Sequence, residues 1–185
     1  MIYKPNIAAE LNIPFFTSEL LRKLTPGAIE ATKRKVFEHE AEGLGLSYLK
    51  EPNVDLVLPF VKDALTRIRG NGVYCVIDAH KRLEKHIDDF GINTKILIPL
   101  LPLDQDFMQS TPYYESKFSP NITHMVKHTL HKPILINTDL WHGDFVVNEF
   151  PRCSLQFTFD ATFEEMIELI QQKKFLRTMD CSIIE

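Results

Sequence analysis

The pattern of apolar and polar positions changes character near Gly70-Asn71-Gly72. Before that point the spacing is helical. Thr17-Ser18-Glu19 precedes Leu20-Leu21-Arg22-Lys23-Leu24, which predicts a helix start and a short helix ended by Pro26-Gly27. Residues 27–42 read as a charged helix with Ile29, Ala31 and Val36 as apolar positions. Asn53 predicts a cap for a longer helix, with Val54, Leu58, Val61, Leu65 and Ile68 at helical spacing. Pro59 falls inside that pattern and predicts a kink or a later start. After the glycines, short β-rich runs are predicted at 73–77, 94–101, 132–138, 144–148 and 152–159. Asp139, Gly143, Asn148 and Pro151 supply the turns between them. The polar stretch 103–121 reads as loop with one irregular strand. At the end, Asp160 or Thr162 caps a run with Phe163, Met166, Ile167 and Ile170 on one face.

Helices, then many short strands, then a helix predict a mainly β fold with flanking helices, a β-barrel or jelly roll. The length of 185 residues suits one domain. Within it, residues 1–70 are expected to form helical support, 71–160 the β core, and 161–185 a closing helix and tail. The net charge of −4 argues against a general polyanion binder and disfavours duplex DNA. Cys75, Cys153 and Cys181 are an odd, scattered set with no CxxC. They predict free thiols in a reducing compartment rather than a disulfide framework or a thiolate zinc site. The N-terminus lacks the pattern of a signal peptide, and no stretch approaches the roughly 18 apolar residues of a membrane span. A cytoplasmic protein without a membrane partner is expected.

The candidate chemistry starts at His86-Ile87-Asp88. On an extended strand, residues two apart point to the same side, so an imidazole and a carboxylate are presented together. Asp89 faces the other way. Alone, the pair is as well read as a surface pair at a strand start. His142-Gly143-Asp144 repeats the spacing, but a metal pair there needs a later histidine, and none follows position 142. A facial iron site needs two histidines and one carboxylate, with the other positions open. His142 follows Asp88 after enough chain for several strands to intervene, and so qualifies as the second histidine. Arg152 follows His142 across one short strand and the Pro151 turn, which aims the next strand back alongside. That strand alternates: Cys153, Leu155, Phe157 and Phe159 fall on one face, and Arg152, Ser154, Gln156 and Thr158 on the other. Arg152 offers a two-pronged donor for a carboxylate. Ser154 adds a hydroxyl, for which a space-filling role is nearly as good a reading. His80, His124, His128 and His131 read as solvated or substrate-loop residues, and Lys81, Arg82 and Lys85 as a solvated strand edge.

The segments LEKHIDD…TKILIPLLP and KPILINTDLWHGDFVVNEFPRCSLQFTF resemble those of 2-oxoglutarate- and Fe(II)-dependent dioxygenases. The likeness is to small bacterial and phage members and to the aspartyl/asparaginyl-hydroxylase-like group. It covers residues 73–159. The resemblance implies a double-stranded β-helix, with Fe(II) on His86, Asp88 and His142. It implies that Arg152 holds the far carboxylate of 2-oxoglutarate, with Ser154 completing an R-x-S motif. It also implies O2 as cosubstrate, release of succinate and CO2, and hydroxylation of an unidentified primary substrate. A protein, peptide or amino-acid substrate is expected by analogy. One departure is Leu97, where small relatives carry a polar residue before Ile-Pro. Tyr74, Tyr113, Tyr114 and Asn137 are the alternative polar contacts for 2-oxoglutarate, and the sequence does not choose among them. The rival reading is a non-catalytic, cupin-like metal-binding or interaction module. Oligomeric state is not legible.

Overall fold

A computed structural model describes residues 3–4, 6–26, 53–64, 74–80, 85–88, 93–101, 109–143 and 152–184. The helix expected at 27–42, the positions Leu65 and Ile68, and the strand expected at 144–148 lie outside the described residues. So do Lys81, Arg82, Asp89 and Asp144.

The described chain is mainly β and antiparallel. Its strands are β1 (Tyr3–Lys4), β2 (Ala8–Asn12), β3 (Tyr74–His80), β4 (Thr94–Leu101), β5 (Gln109–Tyr114), β6 (Ile122–His128), β7 (Ile134–Asn137), β8 (Arg152–Phe159) and β9 (Ser182–Ile183). The helices are α1, described over 18–26, α2 (Asn53–Asp63) and α3 (Phe163–Gln171). One sheet runs in the order β1-β2-β7-β4-β8-β3, with β9 also paired to β2. β5 and β6 form a separate two-stranded sheet.

β4 and β8 form the middle of the large sheet and match their sequence bounds. β4 reads TKILIPLL with little polar alternation because both of its faces are buried. Ile96, Ile98 and Leu100 point to one side, joining Leu155, Phe157 and Phe159 of β8, Val57 and Phe60 of α2, and Phe163, Met166, Ile167 and Ile170 of α3 in the main core. Phe60 lies 4.7 Å from Phe157 between ring centroids, so the sheet and α2 are in direct aromatic contact. α3 starts where the sequence placed it. Thr162 caps it in a capping box with Glu165, and its buried face is Phe163, Met166, Ile167 and Ile170.

Two expectations need correction, and one strand, β6, was not predicted. The first seventy residues are not all helical, because β1 and β2 precede α1. Ala8, Ala9 and Leu11 have good helix propensity, but all three are buried, and Ala8 and Ala9 pair with Ile136 and Leu135 of β7. α2 buries Val57 and Phe60, whereas Leu58 and Val61 are only half-buried. Seating Phe60 against Phe16 and Phe157 turns the helix away from the expected stripe. Pro59 lies within the helix on its exposed side. Finally, β6 pairs with β5 although its sequence, ITHMVKH, gives no clear alternation. Its first three residues are exposed, Met125 is half-buried, and only Val126 and His128 are buried.

The C-terminal tail is fastened to α2 by one carboxylate. Asp63 accepts hydrogen bonds from the Thr178 N–H (3.0 Å), the Thr178 hydroxyl (2.7 Å) and the Met179 N–H (2.9 Å). Burial pushes its carboxyl up, but these donors outweigh burial and hold it below the usual range.

Candidate metal centre

The inner face of the large sheet carries different chemistry. In register, Lys95 of β4 faces Thr158 of β8, Leu97 faces Gln156, and Pro99 faces Ser154. Ser154, Gln156 and Thr158 are all buried, and the Gln156 amide donates to the Ser154 hydroxyl at 3.2 Å. This is the polar face that the alternation of 152–159 predicted. Leu97 belongs to a smaller apolar cluster with Ile7, Ala8, Tyr113, Val126, Ile134 and Ile136.

His86, Asp88 and His142 meet beside one end of this face. One ligand atom from each lies within 4.8 Å of the others. The backbone sets the convergence. His86 donates to the His142 carbonyl at 2.8 Å, and His142 donates back to the His86 carbonyl at 3.0 Å. The Asp88 N–H donates to the Thr138 carbonyl at 3.1 Å, just past the end of β7. His86 sits in an isolated bridge rather than in a long strand, so local pairing with His142, not strand regularity, aims the pair. The rings of His86 and His142 lie 4.4 Å apart between centroids.

The protonation states suit a metal. The Leu140 carbonyl lies 2.8 Å from His142 Nδ1, and a carbonyl only accepts, so Nδ1 carries the hydrogen. Nε2 keeps its lone pair for a ligand. Burial, and then the neighbouring His86, push the His142 imidazole down to about 4, so it is neutral near pH 7. Burial alone would push the Asp88 carboxyl up. The hydrogen bond with His86, and then the charge of Lys95, outweigh it and hold the carboxyl below the usual carboxylate range. A buried neutral imidazole, a second, half-buried imidazole and an ionised carboxylate converge here, a nitrogen–nitrogen–oxygen donor set of the kind a facial iron site needs.

Lys95 was not singled out by sequence reasoning. Its Nζ lies 2.7 Å from Asp88 Oδ2. The available signal was a lysine at an inward position of a strand otherwise buried on both faces.

The other sequence candidates fall as follows. Ser154 is buried on the inner face; its position along β8 from Thr158 corresponds to roughly 13 Å of strand rise. Arg152 opens β8, where its backbone pairs with His80 of β3, and its side chain lies outside the described residues, as does that of Tyr74. Tyr113 is buried, and its hydroxyl donates to the carbonyls of Asn137 (3.0 Å) and Ile7 (3.3 Å). Asn137 donates to the Asn6 carbonyl at 2.9 Å and accepts from the Asp139 N–H at 3.0 Å. Both side chains are thus committed to backbone groups. Lys85 lies over the Tyr114 ring, 4.1 Å from its centroid, and donates to the Ser119 carbonyl. That contact ties the β5–β6 connection to the segment carrying His86. His124 is exposed, and His128 is buried within hydrogen-bond distance of Thr111, 3.1 Å away. Neither reaches the three-residue cluster.

The architecture places the chain with known hydroxylase folds. It is similar to a prolyl-4-hydroxylase from Pseudomonas putida, with TM-score 0.50 and 11% identity over 84% of this chain and 92% of that one. It is also similar to a viral collagen prolyl hydroxylase from Paramecium bursaria Chlorella virus-1, with TM-score 0.52 and 10% identity over 86% of this chain and 96% of that one. At this identity the likeness is one of fold. No family model and no curated protein matches the chain in sequence.

Proposed function

We propose that this protein is an Fe(II)- and 2-oxoglutarate-dependent oxygenase on a double-stranded β-helix, hydroxylating a protein, peptide or amino-acid substrate. The observation that carries the reading is the convergence of His86, Asp88 and His142 within 4.8 Å, through backbone bonds between segments far apart in sequence. These residues hold the iron. With 2-oxoglutarate and O2, bound iron supplies the oxidising power, 2-oxoglutarate leaving as succinate and CO2 while the substrate gains a hydroxyl.

The protein's part is positioning and charge. The donors present an anionic oxygen and two neutral nitrogens, so the iron keeps a net positive charge for an anionic cosubstrate. Ser154 and Arg152 lie further along β8 from the candidate metal end, and Arg152 offers the two-pronged donor for the far carboxylate that the resemblance assigns to it. The buried hydroxyls and amide of Ser154, Gln156 and Thr158 give that route polar walls. The fold shared with two prolyl hydroxylases supports a polypeptide substrate. So do Leu140 and Phe118, both solvent-exposed; Leu140 lies on the His142 segment and Phe118 on the connection anchored by Lys85.

The test is succinate formation from 2-oxoglutarate with Fe(II) and ascorbate under air. Wild type is expected to show slow turnover without primary substrate, and His86→Ala none. Arg152→Ala is expected to need roughly ten- to a hundredfold more 2-oxoglutarate, the loss of a charge-assisted pair. A silent wild type that also gives no visible charge-transfer band with Fe(II) and 2-oxoglutarate under anaerobic conditions would instead establish the binding-module reading.

A further inference from the structure

Asp88 has two oxygens, and the fold treats them differently. Oδ1 faces His86 Nε2 at 3.5 Å, while Oδ2 is buried and forms an ion pair with Lys95 Nζ at 2.7 Å without the geometry of a hydrogen bond. We propose that Lys95 is a positioning residue that keeps Asp88 a one-oxygen ligand, occupying Oδ2 so that only Oδ1 is presented to the metal. The proposal rests on the reading of His86, Asp88 and His142 as an iron centre.

The contact is built on a rigid support. Lys95 lies in β4, paired with Ile136 of β7 on one side and Thr158 of β8 on the other. Its neighbours Thr94 and Ile96 are fully buried. The side chains of Lys95 and Asp88 are 19% and 11% exposed, so each charge is mostly removed from water and is retained because the other compensates it. The Asp88 backbone is fixed separately by its bond to Thr138. The carboxylate is therefore held at its main chain and at one oxygen, with the second oxygen turned toward His86.

The consequence is chemical. A carboxylate free at both oxygens binds a hard cation through one or through both. Two-oxygen binding would fill a position that a facial site keeps open for cosubstrate and oxygen. A protonated lysine suits the holding role because it donates and has no lone pair with which to ligate. The register separates this role from that of an anchor for the far carboxylate. Lys95 is opposite Thr158, at the metal end of β8, whereas Ser154 and Arg152 lie toward its other end.

Mn(II) is a suitable probe, bound to wild type, Lys95→Met and Lys95→Arg in the absence of turnover. Free Mn(II) is measured by electron paramagnetic resonance, and the exchangeable waters on the bound ion by water-proton relaxation. 2-Oxoglutarate is then titrated into the loaded protein. Lys95→Met is expected to bind Mn(II) with one fewer exchangeable water, and to bind 2-oxoglutarate about ten- to a hundredfold more weakly. Lys95→Arg restores both in large part. Unchanged relaxation and unchanged 2-oxoglutarate affinity in Lys95→Met would overturn the proposal while leaving the metal centre intact. So would weaker 2-oxoglutarate binding with unchanged relaxation, which makes Lys95 a direct cosubstrate contact. A wild type that binds no Mn(II) or Fe(II) removes the iron-centre reading itself. Should Lys95→Met fail to fold, Lys95→Gln carries the same comparison.

Discussion

The two faces of β4 and β8 are made by the same backbone and do opposite work. One face carries Ile96, Ile98, Leu100, Leu155, Phe157 and Phe159, packed in the main core with residues of α2 and α3. The other carries Lys95, Leu97, Ser154, Gln156 and Thr158, with Lys95 reaching Asp88. The helix-side face gains free energy by removing apolar surface from water. The inner face buries polar and charged groups at a cost that only their partners offset. The comparison teaches that stability and chemistry are divided by the pleat. A register slip of one residue would exchange the two faces, so the packed side also fixes which side chains face Asp88.

Phe157→Ala should have the largest effect on this division. Phe157 is fully buried, with Phe60 and Phe16 rings at 4.7 and 5.5 Å. The expected loss is about 3–5 kcal/mol of stability, read from urea denaturation. Mn(II) affinity of the folded fraction should match wild type. A parallel collapse of metal affinity in folded protein would show that the two faces are not separable.

The same division explains what was legible in the sequence. Strands with one face in the large core announced themselves. TKILIPLL and RCSLQFTF became β4 and β8 at their expected bounds, and the stripe Phe163, Met166, Ile167, Ile170 became the buried face of α3. Of the three candidate ligands, His86 and Asp88 stood out by their spacing of two and His142 by its residue type and the chain left between, and the structure brings the three together. Pairings made between distant segments were not. β2 is alanine-rich and owes its conformation to β7, and β6 owes its own to β5. Lys95 was passed over because a lysine in a strand looks solvated until its buried carboxylate partner is known. Hydrophobic spacing likewise gave α2 but not its orientation, which Phe60 decides by where its ring fits.

Asp63 tests the packed side through pH, with an intermediate effect. Asp63→Asn weakens the charge-assisted bonds to Thr178 and Met179 and should cost about 2 kcal/mol near neutral pH. The sign follows from its lowered folded-state pKa. The ionised form is favoured in the folded protein, so its contribution is complete above the ordinary value of 3.8. It is lost as pH falls through the lower folded value. Denaturation midpoints of wild type and Asp63→Asn should therefore differ most above pH 4 and converge below 3.8. A gap constant across that range would mean that the carboxylate charge is not what holds the tail.

The smallest effect is expected at Thr162, and it is the sharpest test of separation because the side chain caps α3 on the packed side and is none of the candidate ligands. The Thr162 hydroxyl accepts from the Glu165 N–H at 3.2 Å, and the Glu165 carboxylate accepts from the Thr162 N–H at 2.8 Å. Thr162→Ala removes the first bond and leaves the second, and the expected cost is about 1 kcal/mol. α3 then frays at its first turn, where Phe163 enters the core beside the strand face that carries Phe157 and Phe159. If that face only supports the sheet, thermal stability falls slightly while Mn(II) affinity and the requirement for 2-oxoglutarate stay where they were. If it also tunes the inner face, the loosened turn should weaken cosubstrate binding under conditions where the protein remains folded. The first outcome confines the chemistry to residues that face the metal. The second makes α3 part of the site through β8, whose other face carries Ser154, Gln156 and Thr158.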